Sequence, residues 1–130
     1  NKPGAGAAGG LGYAFMEFMD ANVESGADLV LQSSGFDDAL SASGKPLFVV
    51  TGEGSADAQT LMGKLPSVIL KHCKAKQVPV TLLAGRIKDR KQLLEAGFKR
   101  VIDINEGLDM THAMDKEVAA LRIEKALCGK

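Results

Sequence analysis

Residues 51–64, TGEGSADAQTLMGK, hold the densest set of chemically capable side chains in this sequence. Two carboxylates, Glu53 and Asp57, lie among glycines, with Thr51, Thr60 and Lys64 close by. Glycine lets a backbone approach a ligand closely. Carboxylate oxygens suit magnesium, or can take a proton from an attacking hydroxyl. A lysine offers a counter-charge to phosphate. Phosphoryl transfer calls for this combination: donors around the phosphates, oxygen ligands for the metal and a group that orients the nucleophile. Glu53, Asp57 and Lys64 are therefore the candidate catalytic residues, with Glu53 and Asp57 also candidate magnesium ligands. Thr51, Gly52, Gly54 and Thr60 are candidate substrate or phosphate contacts. A helix-capping turn with solvated charges accounts for the same spacing equally well.

A second glycine-rich stretch opens the chain. GAGAAG at residues 4–9 fits the dinucleotide pattern GxGxxG, but that fingerprint needs a strand directly before it, and Asn1-Lys2-Pro3 supplies none. A glycine-rich approach to a helix can still bind an anion through free N–H groups. Gly6, Gly9 and Gly10 are candidate phosphate contacts on that ground, with a hinge as the equal alternative. Lys64 does not complete a P-loop, because no GxxxxGK run leads into it. His72 and His112 lack partners at ligand spacing and read as structural or solvent-facing. The basic run at residues 86–91 reads first as a solvated helix start, and second as a nucleotide-phosphate contact.

The elements that must position these groups alternate. Apolar residues at helical spacing predict a helix over 11–23. A short branched-rich run predicts a strand at 27–31, followed by a short helix over 36–41. LFVV predicts a strand at 47–50, and a helix is expected over 66–76, with Pro66 in its first turn. A third strand is expected at 79–84. Asp89 is then expected to cap a helix that Gly97 ends. A fourth strand is predicted at 101–104, and a last helix over 111–127 with Met114, Val118, Leu121 and Leu127 on its inner side. Short apolar strands between helices define an α/β fold, a three-layer sandwich with a mainly parallel sheet of flavodoxin or Rossmann type. Ligands of such sheets collect beyond the carboxyl ends of the strands. That rule selects the loops 32–36, 51–64, 85–89 and 105–109.

Composition narrows the classes. The chain has 130 residues, 45% hydrophobic and 25% charged, so it is globular in composition. Sixteen basic and sixteen acidic residues cancel, which removes the electrostatic case for a nucleic-acid partner. No apolar run approaches the roughly 20 residues that span a bilayer, so no membrane partner is expected. Cys73 and Cys128 show no ligand spacing and read as reduced thiols, which favours a cytoplasmic location. The chain opens on Asn1 directly before a glycine run, which reads as a piece of a longer protein.

At its loops the sequence resembles the bacterial-type glycerate kinase family. PGAGAAGGLG at 3–12, TGEGSADAQTLMGKLP at 51–66, PVTLLAG at 79–85 and LLEAGFKRVIDI at 93–104 carry the likeness, which spans almost the whole chain. The middle motif is the most specific, and its departures are Ser55 and Ala56, where relatives usually carry arginine and isoleucine. The resemblance implies a phosphotransferase that passes phosphate from ATP, with Mg2+, to D-glycerate, with the 2-phosphate favoured as product. It implies a two-domain enzyme whose N-terminal portion is absent from this chain. Residues 1–25 then form a glycine-rich inter-domain segment and helix, and 26–130 the C-terminal part of an α/β domain. Alone, this piece is expected to be inactive. Asp57, with Glu53, would hold magnesium or orient the glycerate hydroxyl at an inter-domain cleft. An exposed sheet edge makes self-association, a homodimer included, a further expectation. The competing reading is a non-catalytic flavodoxin-like domain that binds a nucleotide or a small acid.

Overall fold

The computed structural model describes residues 6–20, 25–42, 47–109 and 115–128. The chain divides into two compact units, Asn1–Gly35 and Phe36–Lys130.

The first unit contains a 3-10 turn, Ala7–Gly10, and two helices, α1 (Leu11–Phe18) and α2 (Gly26–Ser33). Gly9 and Gly10 take positive φ values of 68° and 97°, a region that glycine enters without penalty. The predicted helix over 11–23 is described to Phe18; residues 21–24 lie outside the described residues. The strand expected at 27–31 is a correction, because these residues lie in α2. Ser25 caps that helix: its side chain accepts from Asp28 N, and its carbonyl accepts from Leu29 N at 3.0 Å. A short apolar run fits strand and buried helix equally. Here the serine cap decided.

The second unit is α/β. It begins with α3 (Phe36–Ala42) and continues β1 (Val49–Glu53), α4 (Leu65–Ala75), β2 (Val80–Ala84), α5 (Arg90–Ala96), β3 (Arg100–Asp103) and α6 (Lys116–Cys128). The sheet is parallel with order β1-β2-β3. Register runs from Val49↔Val80 to Glu53↔Ala84 and from Thr81↔Arg100 to Ala84↔Asp103, so the carboxyl ends of all three strands lie level. All five residues of β2 are buried, as the continuous apolar run of a central parallel strand requires. Val68, Ile69, Leu70 and Cys73 of α4, with Leu93, Phe98 and Val101, complete the core.

The expected strand at 47–50 starts two residues later and runs on to Glu53. Gly52 lies within this extension, paired with Leu83 of β2, where a Cβ would make only ordinary contact at 3.4 Å with the Leu83 carbonyl. The start of the motif is thus strand rather than loop. Asp89 does precede α5, but no side-chain cap bond forms there, whereas Gly97 ends that helix at φ +118° as expected.

α6 also departs from expectation. It begins at Lys116, where Asp115 Oδ1 accepts from Glu117 N at 2.8 Å; Met114 and His112 lie outside the described residues. No residue of α6 is buried, and Leu121, expected to face inward, is 66% exposed. Its polar anchors are Arg122, whose Nη1 donates to the carbonyls of Ile104 (2.7 Å) and Glu106 (3.0 Å), and Arg100, which donates to Ala126 O at 3.0 Å.

His72 has the structural role expected of it. Its Nδ1 lies 2.8 and 3.0 Å from the two carboxylate oxygens of Asp37, and the Phe36 ring meets it edge-on. Both thiols are free, Cys73 buried and Cys128 exposed. Among the described residues no helix is long and apolar enough to cross a membrane.

Candidate functional site

Glu53 is the last residue of β1, and its side chain is only 16% exposed. Beyond it the chain makes a bend at Gly54-Ser55 and rejoins its neighbour at Ala56, which pairs in parallel with Ile87. Ala56 N donates to Arg86 O at 2.9 Å, and Lys88 N donates back to Ala56 O at 2.8 Å. Ala56 is completely buried.

This extra bridge fixes Asp57, which leaves Ala56 in extended conformation and opens a 3-10 turn, Ala58–Leu61. The turn begins with a capping box. Asp57 Oδ1 accepts from Gln59 N at 2.9 Å, and Thr60 Oγ1 accepts from Asp57 N at 3.1 Å. The Thr60 hydroxyl then donates its own proton to Glu53 Oε1. One buried hydroxyl therefore joins both carboxylate-bearing residues. Gly63, at φ +85°, turns the chain into Lys64, the residue before α4. Lys64 Nζ reaches Glu53 Oε2 at 3.9 Å from a side chain that is 45% exposed. An ion pair so open to water stabilises by about 0–1 kcal/mol, which leaves the lysine free to meet another anion.

The structure thus brings Glu53, Asp57, Thr60 and Lys64 into one turn at the carboxyl end of the sheet. Thr51 and Thr60 are buried residues, at 7% and 0% exposure, and the Thr60 hydroxyl is engaged inside the turn. Gly52 and Gly54 are exposed, and a Cβ on Gly54 would meet open space. Gly6, Gly9 and Gly10 belong to the first unit, at the 3-10 turn before α1.

Sequence reasoning missed the acids that fasten neighbouring loops. Asp89 Oδ2 accepts from Ala58 N at 3.2 Å, across from the capping box. Asp103, which ends β3, accepts from Ile87 N (3.0 Å) through Oδ2 and from Asn105 N (2.9 Å) through Oδ1. Their signal was present: each lies at or just past the end of a parallel strand or its loop, where backbone N–H groups lack ladder partners.

Among the described residues no group of three or more His, Cys, Asp or Glu side chains converges as a metal cage. Magnesium is commonly held by one or two carboxylates together with water and phosphate oxygens. Glu53 and Asp57 supply hard oxygen donors of that number.

A parallel sheet with an acidic, glycine-rich turn at its carboxyl edge makes this an α/β protein of the class whose ligands collect beyond the strand ends. The pattern described as the Glycerate kinase family matches residues 1–127, and the chain belongs to that family. It is 44% identical over 101 residues to a glycerate kinase of Halalkalibacterium halodurans, covering 78% of this chain and 25% of that protein. A glycerate kinase of Bacillus subtilis is 36% identical over 105 residues, covering 80% and 27% respectively. A glycerate 2-kinase of Escherichia coli is 37% identical over 87 residues, covering 67% and 22%. The chain thus spans about a quarter of the length of these curated relatives. No solved structure matches it.

Proposed function

We propose that this chain is the part of a glycerate kinase that carries a phosphoryl-transfer turn, and that the whole protein transfers phosphate from ATP to D-glycerate in the cytoplasm. The 2-phosphate is the product we favour, since a relative is named a glycerate 2-kinase. One observation carries the reading: the chain matches the Glycerate kinase family over residues 1–127, and its acidic turn lies at the carboxyl end of β1 with Glu53 and Asp57 joined through Thr60.

Phosphoryl transfer depends on placing groups more than on covalent chemistry by the protein. Glu53 is held by the Thr60 hydroxyl on one oxygen and faces Lys64 with the other. Asp57 is oriented by its bond to Gln59 N. These two carboxylates would hold magnesium, which neutralises charge on the polyphosphate when bound. Asp57 also orients or deprotonates the glycerate hydroxyl, and Lys64 swings from Glu53 towards phosphate. The exposed backbone of Gly52 and Gly54 lies against the substrate. Residues 1–25 form the passage between two domains, and 26–130 belong to the α/β domain. Glycerate and ATP meet this surface together with the remainder of the enzyme, so the 130 residues alone are inactive.

The test is ADP release by the full-length protein with and without D-glycerate, with the position of the product's phosphate read by NMR. Glycerate-dependent release and a 2-phosphoglycerate spectrum are expected. Nucleotide or glycerate binding without turnover would instead favour the non-catalytic binding domain.

A further inference from the structure

The loops after β1, β2 and β3 meet at one point, and Asn105 holds it. Asn105 Nδ2 donates to Gly85 O at 2.9 Å. A Cβ on Gly85 would stand 3.0 Å from Gly54 O and 3.3 Å from that Nδ2, so glycine is what lets the three loops touch. Gly85 N in turn points at Glu53 O at 3.4 Å. From the other side, Asp103 ties Asn105 N to Ile87 N, and Ile87 pairs with Ala56 directly before Asp57. Both carboxylates of the candidate site are therefore attached, through backbone, to residues around Asn105.

The second observation concerns the same amide. Asn105 Oδ1 is buried and has no hydrogen-bond partner among the described residues. Burying an unpaired acceptor costs stability, so replacing Asn105 by alanine loses the Nδ2 bond but also relieves that cost.

We propose that Asn105 is a positioning residue for phosphoryl transfer: by gripping Gly85 it sets where Gly54 lies and hence where Glu53 and Asp57 point. The proposal rests on the kinase reading above. Asn105 acts through Gly85. Misplacing reacting groups by about an ångström can lower turnover about 100-fold while leaving the binding surfaces in place.

The experiment compares wild type, Asn105→Ala and Asn105→Asp in the full-length protein, measuring kcat, KM for ATP and for glycerate, and the thermal midpoint. Asn105→Asp keeps the shape but presents a carboxylate to the Gly85 carbonyl, where no bond can form. Both variants are expected to lose about 10- to 100-fold in kcat with KM changed less than about threefold, and the midpoint to move by only a few degrees. Should the alanine variant fail to fold, the isosteric variant carries the comparison. An active wild type whose two variants both keep kcat within about threefold overturns the positioning role and leaves the kinase reading intact. A folded wild type with no glycerate-dependent turnover overturns the kinase reading, and this role with it.

Discussion

The hydroxyl of Thr60 lies between the two acidic residues of the turn, accepting from Asp57 N at 3.1 Å and donating to Glu53 Oε1. It is wholly inaccessible to solvent, so its effect on any ligand is indirect. Thr60→Val keeps the volume but strands one buried donor and one acceptor. The loss should be about 1–3 kcal/mol in urea unfolding, with turnover falling as well. Thr60→Ser keeps the hydroxyl and should retain turnover at a cost of about 1 kcal/mol for the missing methyl. Equal turnover in the valine and serine variants would show that the hydroxyl does not hold the site.

Gly97 and Lys74 form a second testable pair, remote from the chemistry. Gly97 ends α5 at φ +118°, and a Cβ there would lie 2.6 Å from Lys74 Cε and 2.8 Å from Nζ, the amine that donates to Ala96 O at 2.7 Å. Gly97→Ala should destabilise by about 1–2 kcal/mol from left-handed strain, beyond the loss of the lysine cap. Lys74→Ala alone should cost about 0.3–1 kcal/mol, as expected for a cation at a helix C-terminus. The double variant should then lose less than the sum, because the clash needs both partners. Strict additivity in chemical denaturation would refute the contact.

Cys73 should be chemically silent. Burial first, and the Asp37 carboxylate second, push its thiol up from 9.0 to about 11. The thiolate is the reactive species, so at pH 8 an alkylating reagent should label Cys128 and spare Cys73 in the folded protein. The shift also fixes a sign. Because the folded thiol holds its proton to higher pH than the unfolded one, its contribution to stability is full below about pH 9. It declines between about pH 9 and about pH 11. Wild type should therefore lose more stability than Cys73→Ala on going from pH 8 to pH 10. Parallel declines would contradict the shift.

Much of this was legible in the sequence, and the misses have physical causes. LFVV reads as a run buried on both faces, but β1 lies at the edge of the described sheet, with Val50 37% exposed and Phe48, just before the strand, 64% exposed. PVTLLA and VIDI read as strands because apolar runs between turn signals admit little else once strand length is considered. Residues 27–31 did not, because ADLVL is short enough to fit either state, and the deciding group, Ser25, lies outside the run. Gly52 looked like the start of a loop but is a strand residue paired with Leu83. In the site, residue types and spacing pointed to Glu53, Asp57 and Lys64, yet could not show that Thr60 faces inward as their connector. Asp89, Asp103 and Asn105 stand where strand-end loops need partners, but the partners themselves, 16 to 31 residues away, could not be read from the sequence. α6 misled through Leu121, whose helical spacing suggested an inner face while Arg100 and Arg122 supply its polar anchors.

The central claim is that charge on Asp57, at the mouth of the capping box, drives phosphate transfer. Asparagine caps a helical turn about as well as aspartate, so Asp57→Asn removes the charge while keeping the bond to Gln59 N. In the full-length protein, glycerate-dependent ADP release by this variant should fall by roughly 100-fold or more, with an unchanged thermal midpoint. Turnover near that of wild type would remove Asp57 from the reaction and the account of the site with it.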